Sequence, residues 1–186
     1  MGPIETKRLL LREFHKGDEN DVFNNWASDK RVTEFLTWAP HASVFDSKAI
    51  LSKWLDEYKK EDTYRLGIVL KEENKLIGAI DIVGQRYDCP EIGYCLAYDY
   101  WGKGIMTEAA TAFRDALFAL GYRRLVIRAR ASNVRSTKVI FKLGGKFYEG
   151  DYDYVEKDDR SYLINTFFID NPNYPPLPLP NPYRCH

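Results

Sequence analysis

The segment from Tyr98 to Ala110 limits most strongly how this chain can fold. It follows Glu91 to Leu96, a run whose residues favour a β-strand, and it precedes apolar residues with the spacing of a helix that ends at Gly121. Those apolar positions are Met106, Ala109, Ala110, Phe113, Ala116, Leu117 and Leu120. Gly102 and Gly104 are therefore predicted at a turn that leads from a strand into a helix.

A turn of this kind favours the binding of an anion. Glycine lets the backbone approach a ligand closely, and the first amides of a helix have no partner within the helix. The positive end of the helix dipole adds to this preference, and Lys103 places a further positive charge between the two glycines. The pattern predicts a pyrophosphate site, although a tight strand–helix connection with a solvated lysine would also produce it.

Two other phosphate-binding motifs do not fit this segment. A Walker loop requires Ser or Thr after its lysine, whereas Gly104 follows Lys103. A dinucleotide fingerprint requires a third glycine three residues after Gly104, where Thr107 stands. Instead, Trp-Gly-Lys-Gly-Ile-Met-Thr-Glu-Ala resembles the pyrophosphate loop of the GNAT superfamily of N-acetyltransferases, in particular its RimJ/RimL-like branch. Met106 departs from the family pattern, which has Gly or Ala at that position.

The resemblance implies acetyl-CoA as the cosubstrate, with no metal, and direct attack by a primary amine in a ternary complex. Backbone amides at the end of the preceding strand would polarise the thioester carbonyl. The implied contacts with the cosubstrate come from that strand end and from the loop: Leu96, Ala97, Tyr98, Gly102, Lys103, Gly104, Ile105, Met106 and Thr107.

A second motif runs from Asn133 to Phe147 and resembles the Asn-x-x-Ser/Ala…Leu-Gly-Phe end of the same family, with Gly145 in place of the usual aromatic residue. Asn133 and Ser136 are implied contacts with the cosubstrate, although Asn133 would serve equally well as a helix cap. Many members of the family carry a tyrosine general acid four residues beyond the Ser/Ala position, where this chain has Ile140. Ser136 is therefore the candidate acid, or partner of the leaving sulfur, by resemblance to RimL-like members.

The remaining pattern predicts a mixed α/β domain. Its elements follow the order strand, three short helices, three strands, helix, strand, helix and two strands. Ser43 with Asp46 predicts a capping box for the third helix. The predicted strands are 4–14, 64–70, 76–83, 91–96, 125–129, 147–154 and 162–169. The resemblance implies a GNAT-like fold for this order: one central, mostly antiparallel sheet, flanked by helices and splayed between the fourth and fifth strands, with pantetheine in the gap.

The end of the chain differs in composition from the rest. Six of the nine prolines lie between Pro172 and Pro182, and a segment so rich in proline cannot join a sheet or a helix. Residues 1–171 are therefore predicted as a single acetyltransferase-like domain and residues 172–186 as a proline-rich tail. Such a tail favours polyproline II. The sequence leaves open an extended arm on its own or a neighbouring domain and a ligand for an SH3-like module.

Three carboxylates are candidates for the base that deprotonates the amine. Glu91, at the start of the splayed strand, is the first choice, and Asp81 and Glu149 are the alternatives. Cys95 would be the nucleophile of an acyl-enzyme mechanism, but it has no neighbouring histidine or helix N-terminus in the predicted pattern, which favours a structural role. The histidines lack the spacing of metal ligands, so no metal site is predicted.

Composition limits the partners and the location. Lys plus Arg and Asp plus Glu both total 27, which gives no global charge for nucleic-acid binding. No apolar run approaches the length of a membrane span, and the N-terminus lacks the core of a signal peptide. The three cysteines form no Cys-x-x-Cys pair, which favours a reducing, cytoplasmic compartment.

The acceptor is the least determined part of the prediction. The segment from Phe35 to His41 resembles the RimJ/RimL segment before the third helix, which would form a wall of the acceptor cleft, although simple packing of its aromatic residues would explain it equally well. The last hairpin is rich in acids, which would suit a cationic acceptor or would form an ordinary solvated turn. The sequence leaves open a protein N-terminus, a small amine such as a polyamine, an amino acid or an antibiotic, and a non-catalytic sensor of acyl-CoA. It also leaves open a homodimer.

Overall fold

A twisted sheet forms the centre of the computed structural model, which describes residues 1–60 and 62–180. In this part of the chain the sheet has eight strands in the order β1-β2-β3-β4-β5-β6-β8-β7, and every neighbouring pair is antiparallel except β5 and β6. The strands are β1 (Ile4–Glu5), β2 (Leu9–Arg12), β3 (Arg65–Leu70), β4 (Lys75–Arg86), β5 (Cys89–Leu96), β6 (Arg124–Arg130), β7 (Lys146–Val155) and β8 (Arg160–Asp170).

Helices cover both faces of this sheet. They are α1 (Glu19–Val22), a π-helical turn (Phe23–Ala27), α2 (Lys30–Thr33), α3 (Val44–Glu57), α4 (Ile105–Ala119) and α5 (Val134–Lys142), with 3₁₀ turns at Tyr98–Tyr100 and Glu156–Asp158. The mixed α/β architecture and the mostly antiparallel sheet confirm the fold predicted from the sequence. No helix among the described residues has both the length and the hydropathy to span a bilayer.

The parallel pair β5 and β6 separates after two rungs. Glu91 lies opposite Val126 and Ile92 lies opposite Ile127, and the pairing ends there. Strand β5 continues to Leu96 and β6 continues to Arg130 without facing each other. The predicted splay between the fourth and fifth strands corresponds to this separation, because β1 and β2 together occupy the predicted first strand. The gap opens at the carboxyl ends of both strands, the edge at which parallel strands bind ligands.

The two faces of β5 meet different helices, because side chains alternate along a strand. Tyr94 points toward α5, since its hydroxyl lies 2.9 Å from the Ser136 hydroxyl. Gly93 lies opposite Asp81 of β4, whose carboxylate accepts a hydrogen bond from Arg65. Arg65 also donates to Glu57 of α3. Glu91, Gly93 and Cys95 are therefore on the α3 face of the sheet, and Ile92, Tyr94 and Leu96 are on the α5 face.

Several local expectations need correction. The predicted strand 4–14 is interrupted between Glu5 and Leu9, where the chain turns and Thr6 accepts from the Leu9 amide. Leu120 is 54% exposed instead of buried, because α4 ends at Ala119 and Leu120 is its C-cap. The tight turn between β4 and β5 was not predicted; it uses positive φ angles at Tyr87 and Asp88. The capping box of Ser43 and Asp46 is present as predicted.

The proline-rich tail lies along its own chain as far as the structure describes it. Arg124, almost fully buried, donates to the carbonyl oxygens of Pro178 and Leu177 at 2.9 and 2.6 Å. The Tyr148 hydroxyl donates to the carbonyl oxygen of Pro180 at 2.6 Å. Residues 172–180 thus form an extended arm, and the predicted tail residues 181–186 lie outside the described part.

Candidate active site

The glycine turn before α4 has the geometry of an anion site. Gly102 and Gly104 have φ angles of +74° and +73°, in the left-handed region that favours glycine. The first helical backbone bond at this end runs from the Glu108 amide to the Gly104 carbonyl at 3.1 Å. Within residues 1–60 and 62–180, the amides of residues 102–107 donate to no backbone or side-chain oxygen. These unpartnered amides and the helix dipole provide the features that bind phosphate groups.

The turn is held in place by the start of the chain. The Glu108 carboxylate accepts hydrogen bonds from the Thr6 hydroxyl at 2.6 Å, the Arg8 amide at 2.9 Å and Arg8 Nε at 2.6 Å. Arg8 Nη1 also donates to the carbonyl oxygen of Lys103 at 3.0 Å. Burial raises the pKa of Glu108, but the hydrogen bonds from Thr6 and Arg8 outweigh it and leave the pKa below its usual value. These hydrogen bonds from Thr6 and Arg8 were not predicted, because nothing near Glu108 in the sequence indicates contact with residues 6–8.

The side chains of Ile105 and Met106 point away from the free amides. Ile105 is 4% exposed and Met106 is 8% exposed, and both belong to the hydrophobic core. Met106 therefore leaves the turn open, although it replaces the Gly or Ala of the family pattern. The Lys103 ammonium lies 5.4 Å from the centre of the Tyr100 ring. Ile105 and Met106 therefore contribute only backbone amides at the turn.

The end of β5 has fewer backbone groups without hydrogen-bond partners than the predicted contacts with the cosubstrate require. The Ala97 amide donates to the Ile77 carbonyl at 2.8 Å, and the Ala97 carbonyl accepts from the Tyr100 amide at 3.1 Å. The Leu96 carbonyl accepts from the Trp101 indole at 2.7 Å. Because antiparallel pairs alternate their bonding direction, the Leu96 amide points away from β4 and into the gap. The predicted Ala97 contact thus lacks a free amide, whereas Leu96 retains one.

Ser136 lies beside a tyrosine that the sequence analysis did not single out. The Asn133 side-chain oxygen accepts from the Ser136 amide at 3.1 Å, so Asn133 caps α5, which was one of its two predicted roles. The Ser136 hydroxyl lies 2.9 Å from the Tyr94 hydroxyl, and either group is able to donate. Burial raises the pKa of Tyr94 to about 12, opposed by the hydrogen bond with Ser136. Alternation along β5 puts Ile92, Tyr94 and Leu96 on one face of the sheet. The sequence does not show that α5 covers that face, so the contact between Tyr94 and Ser136 could not be predicted.

Of the three candidate bases, two lie on one face beside the gap. Glu91 is on the last rung but one before β5 and β6 separate, and its carboxylate lies 3.4 Å from Arg86 Nε. Asp81 lies opposite Gly93, and a Cβ atom at Gly93 would be 3.6 Å from the Asp81 carboxylate. Burial raises the pKa of Asp81, and its ion pair with Arg65 opposes that rise.

The third candidate and the candidate nucleophile are placed less favourably. Glu149 lies on β7, separated from β6 by β8, and accepts a hydrogen bond from the Tyr87 hydroxyl.

The pKa of Cys95 is raised to about 12, mainly by burial and further by the negative charge of Asp81. Cys95 is therefore a protonated thiol at neutral pH, which disfavours nucleophilic attack by it. Among the described residues no group of His, Cys, Asp or Glu side chains has the arrangement of a metal site.

A cavity of about 660 Å³ opens at the carboxyl edge of the splayed strands. Its walls come from α2 and the segment after it, from the end of β6 and from the β7–β8 hairpin. Arg31 of α2 connects this cavity to the end of β5, since its guanidinium carbon lies 3.8 Å from the centre of the Tyr98 ring. The lining residues are Lys30, Arg31, Thr33, Glu34, Phe35, Pro40, Arg130, Ser132, Lys157, Asp158, Arg160 and Tyr162.

Comparison with known proteins identifies the family of the chain. The model of the acetyltransferase (GNAT) domain family matches residues 8–146. An uncharacterised N-acetyltransferase of Bacillus licheniformis, p20, is 28% identical over 77% of this chain and 82% of its own length. The [ribosomal protein uS5]-alanine N-acetyltransferase of Escherichia coli is 22% identical over 93% of each chain.

Solved structures show the same fold. The microcin C7 self-immunity acetyltransferase MccE, in complex with acetyl-CoA and AMP, superposes with a TM-score of 0.77 at 18% identity, over 89% of this chain and 93% of that one. The chain belongs to the GNAT acetyltransferase family. It is an N-acetyltransferase, and GNAT acetyltransferases use acetyl-CoA.

Proposed function

We propose that this N-acetyltransferase binds acetyl-CoA with its pyrophosphate on the amides of residues 102–107 and transfers the acetyl group to an amine that enters from the α2 side of the gap. The observation that carries the proposal is that the free amides before α4 and the gap between β5 and β6 lie at the same edge of the sheet. A single extended cosubstrate then reaches from the turn into the gap, and the amine attacks directly. The Leu96 amide is the donor that faces the gap and supports polarisation of the thioester carbonyl.

The first candidate acceptor is the N-terminal amine of a protein. The sequence relative from Escherichia coli that covers nearly the whole chain is named for acetylating an alanine of a ribosomal protein. The ribosomal-protein-S5-alanine acetyltransferase of Vibrio fischeri is a structural neighbour, with a TM-score of 0.73 at 22% identity. The open cavity beside α2 would admit an extended peptide end. By this proposal the peptide enters along α2, with its amine toward Glu91 and Asp81.

A small amine is the second candidate, and the dimensions of the cavity favour it. A volume of about 660 Å³ is in the range of sites for small molecules. MccE, the neighbour solved with acetyl-CoA, also holds AMP. A non-catalytic sensor would keep the cosubstrate turn but would have no use for carboxylates beside the gap, and the presence of Glu91 and Asp81 there speaks against it.

Mass spectrometry of acceptors incubated with isotopically labelled acetyl-CoA separates these candidates. The panel contains peptides with a free N-terminal alanine, the same peptides with a blocked N-terminus and an internal lysine, and a set of small amines. We expect label on the N-terminal peptides. Label confined to small amines would support the second candidate, and tight binding of acetyl-CoA without transfer to any amine would support the sensor.

Glu91 is the proposed base, and the rate lost when it is replaced should depend on pH. We expect Glu91→Gln to lower the rate most at low pH, where the acceptor is an ammonium ion that must lose a proton. The loss should shrink as the pH rises and the acceptor deprotonates unaided. The measurement is kcat/KM from pH 6 to 10 for the variant and the unmodified enzyme. A loss that stays constant with pH would make Glu91 structural and would turn attention to Asp81, whose raised pKa suits a base.

Ser136 and Tyr94 are proposed to hold the leaving sulfur through one hydrogen-bonded pair. We expect Ser136→Ala to lower kcat about tenfold at every pH, about 1.4 kcal/mol, because a thiolate leaves readily without a strong acid. Tyr94→Phe keeps the buried ring and removes only the hydroxyl, and it should cost a similar factor. If the two hydroxyls act as one unit, the double variant should lose little more than either single variant. Fully multiplicative losses in a double-mutant cycle would disprove a shared role.

A further inference from the structure

We propose that the acceptor carries a negatively charged carboxylate close to its reacting amine. This inference rests on the proposed function, because it assigns a substrate class to the same site. It starts from the position of the cavity beside α2. Arg130 and Ser132 come from the end of β6, and Arg31 covers Tyr98 at the end of β5. The cavity therefore adjoins the ends of both strands that border the gap.

The charge of the cavity wall is positive. Five lining side chains are cationic and two are carboxylates, which leaves an excess of three positive charges. The cations are Lys30, Arg31, Arg130, Lys157 and Arg160, and the carboxylates are Glu34 and Asp158. A concave site lined by one sign of charge concentrates ligands of the opposite sign.

The acids of the last hairpin do not offset this charge, contrary to the sequence expectation of a site for a cationic acceptor. Asp158 alone among them lines the cavity, and it is bonded at 2.8 Å by Lys157 and by Arg130. Lys157 first and Arg130 second hold the pKa of Asp158 at about 2, so it stays ionised and paired. Asp153 is turned toward Arg128, and Asp159 accepts from the Tyr154 hydroxyl.

Three of the five cations form ion pairs with carboxylates of the described residues, and two do not. Arg130 and Lys157 share Asp158, and Arg31 pairs with Asp29 at 2.6 Å. Lys30 and Arg160 form no ion pair with any carboxylate in residues 1–60 and 62–180, and both are exposed at the cavity. An anionic group on the acceptor would complete a charge-assisted pair with either of them. A polyamine would instead meet uncompensated positive charge.

Lys30 and Arg160 come from different elements of the cavity wall: Lys30 from α2, and Arg160 from the first residue of β8. An acceptor that bridges them would be held by its anionic group at the cavity. Its amine would then extend toward the gap, where Glu91 and Asp81 lie on the same face as Arg130. That shared face follows from register, because Val126 pairs with Glu91 and Arg130 is four residues further along β6. The geometry thus supports an anion and an amine on one acceptor.

Matched acceptors test this inference on the full chain. One arm compares the C-terminally amidated peptides Ala-Asp-Phe and Ala-Asn-Phe, which differ only in the charge of the second side chain. The other arm compares β-alanine with β-alaninamide, with rates normalised to the fraction of free amine. The two arms distinguish an acidic peptide from a small amino acid as the source of the anion. The readout is kcat/KM at low and at high salt.

We expect the anionic member of at least one pair to be preferred by about tenfold or more at low salt, and less at high salt. The double variant Lys30→Gln/Arg160→Gln should bring that ratio close to one. The control is Lys53→Gln on α3, an exposed lysine outside the cavity, and it should leave the ratio unchanged.

Equal rates for both members of both pairs, or a preference that survives the double variant, would overturn the inference and leave the proposed acetyl transfer intact. The comparison of acceptors uses the unmodified protein, so the inference can be tested even if the double variant does not fold. Failure to acetylate any amine, here or in the mass-spectrometric panel, would overturn the proposed function itself and this inference with it.

Discussion

Replacing Gly104 by valine should abolish measurable binding of acetyl-CoA while the chain remains folded. Gly104 has φ +73° and is the residue before the first turn of α4, so a β-branched side chain forces the backbone out of the left-handed region. The free amides of residues 102–107 would then no longer converge on one point. We expect the Kd for acetyl-CoA to rise at least about hundredfold, about 2.7 kcal/mol, by isothermal titration calorimetry.

Gly121 provides a matched control at the other end of the same helix. It also has a positive φ, +96°, and a Cβ atom there would meet nothing within 4 Å. Gly121→Val therefore imposes comparable backbone strain without touching the turn before α4. We expect both variants to lose similar stability and only Gly104→Val to lose affinity. Equal affinity for acetyl-CoA in a folded Gly104→Val variant would contradict the assignment of the turn.

Gly78→Ala should be strongly destabilising, because β4 and β5 meet too closely there for a side chain. A Cβ atom at Gly78 would lie 2.4 Å from the Cys95 carbonyl oxygen and 3.1 Å from Leu96 Cα, both backbone atoms of β5. We expect the free energy of unfolding to fall by about 3 kcal/mol, measured by urea denaturation. Acetyl transfer should fall by more than the folded fraction explains, because the end of β5 that borders the gap must shift.

Gly84→Ala, on the same strand, is the control for this prediction. A Cβ atom at Gly84 meets nothing within 4 Å, and its φ is not positive. We expect its effect on the free energy of unfolding to stay within about 0.5 kcal/mol, as for substitutions without a specific contact. Similar losses in both variants would show that the close approach at Gly78 is relieved without cost.

The features that sequence predicted well are the local ones. Periodicity and caps located α3 and α5, and the pair of glycines located the turn before α4, because each depends on residues close together in the chain. The resemblance to a family then supplied the order of the strands and the splay, which local pattern does not contain. The interruption of the first strand was not predicted, whereas Gly121, with its positive φ, directly follows the C-cap of α4, as the sequence indicated.

The features that sequence could not predict depend on contacts between distant segments. Tyr94 meets Ser136 across 42 positions, and the Glu108 carboxylate meets Arg8 across 100. The sign of the net charge on the cavity lining is a further example. The acids of the last hairpin are numerous in the sequence, but Arg128, Arg130 and Lys157 neutralise those nearest the gap. Composition therefore suggested a cationic acceptor, whereas the folded lining favours an anionic one.

Amide NMR during a titration with acetyl-CoA shows, residue by residue, whether acetyl-CoA binds to the amides at the start of α4. The amides of residues 102–107 should show the largest shifts of the backbone, and the Leu96 amide should shift with them. The Gly121 amide at the other end of α4, which donates to the Phe118 carbonyl oxygen, should shift much less. Large shifts at Gly121 or on β7, with the amides of residues 102–107 unmoved by saturating acetyl-CoA, would contradict binding at the start of α4.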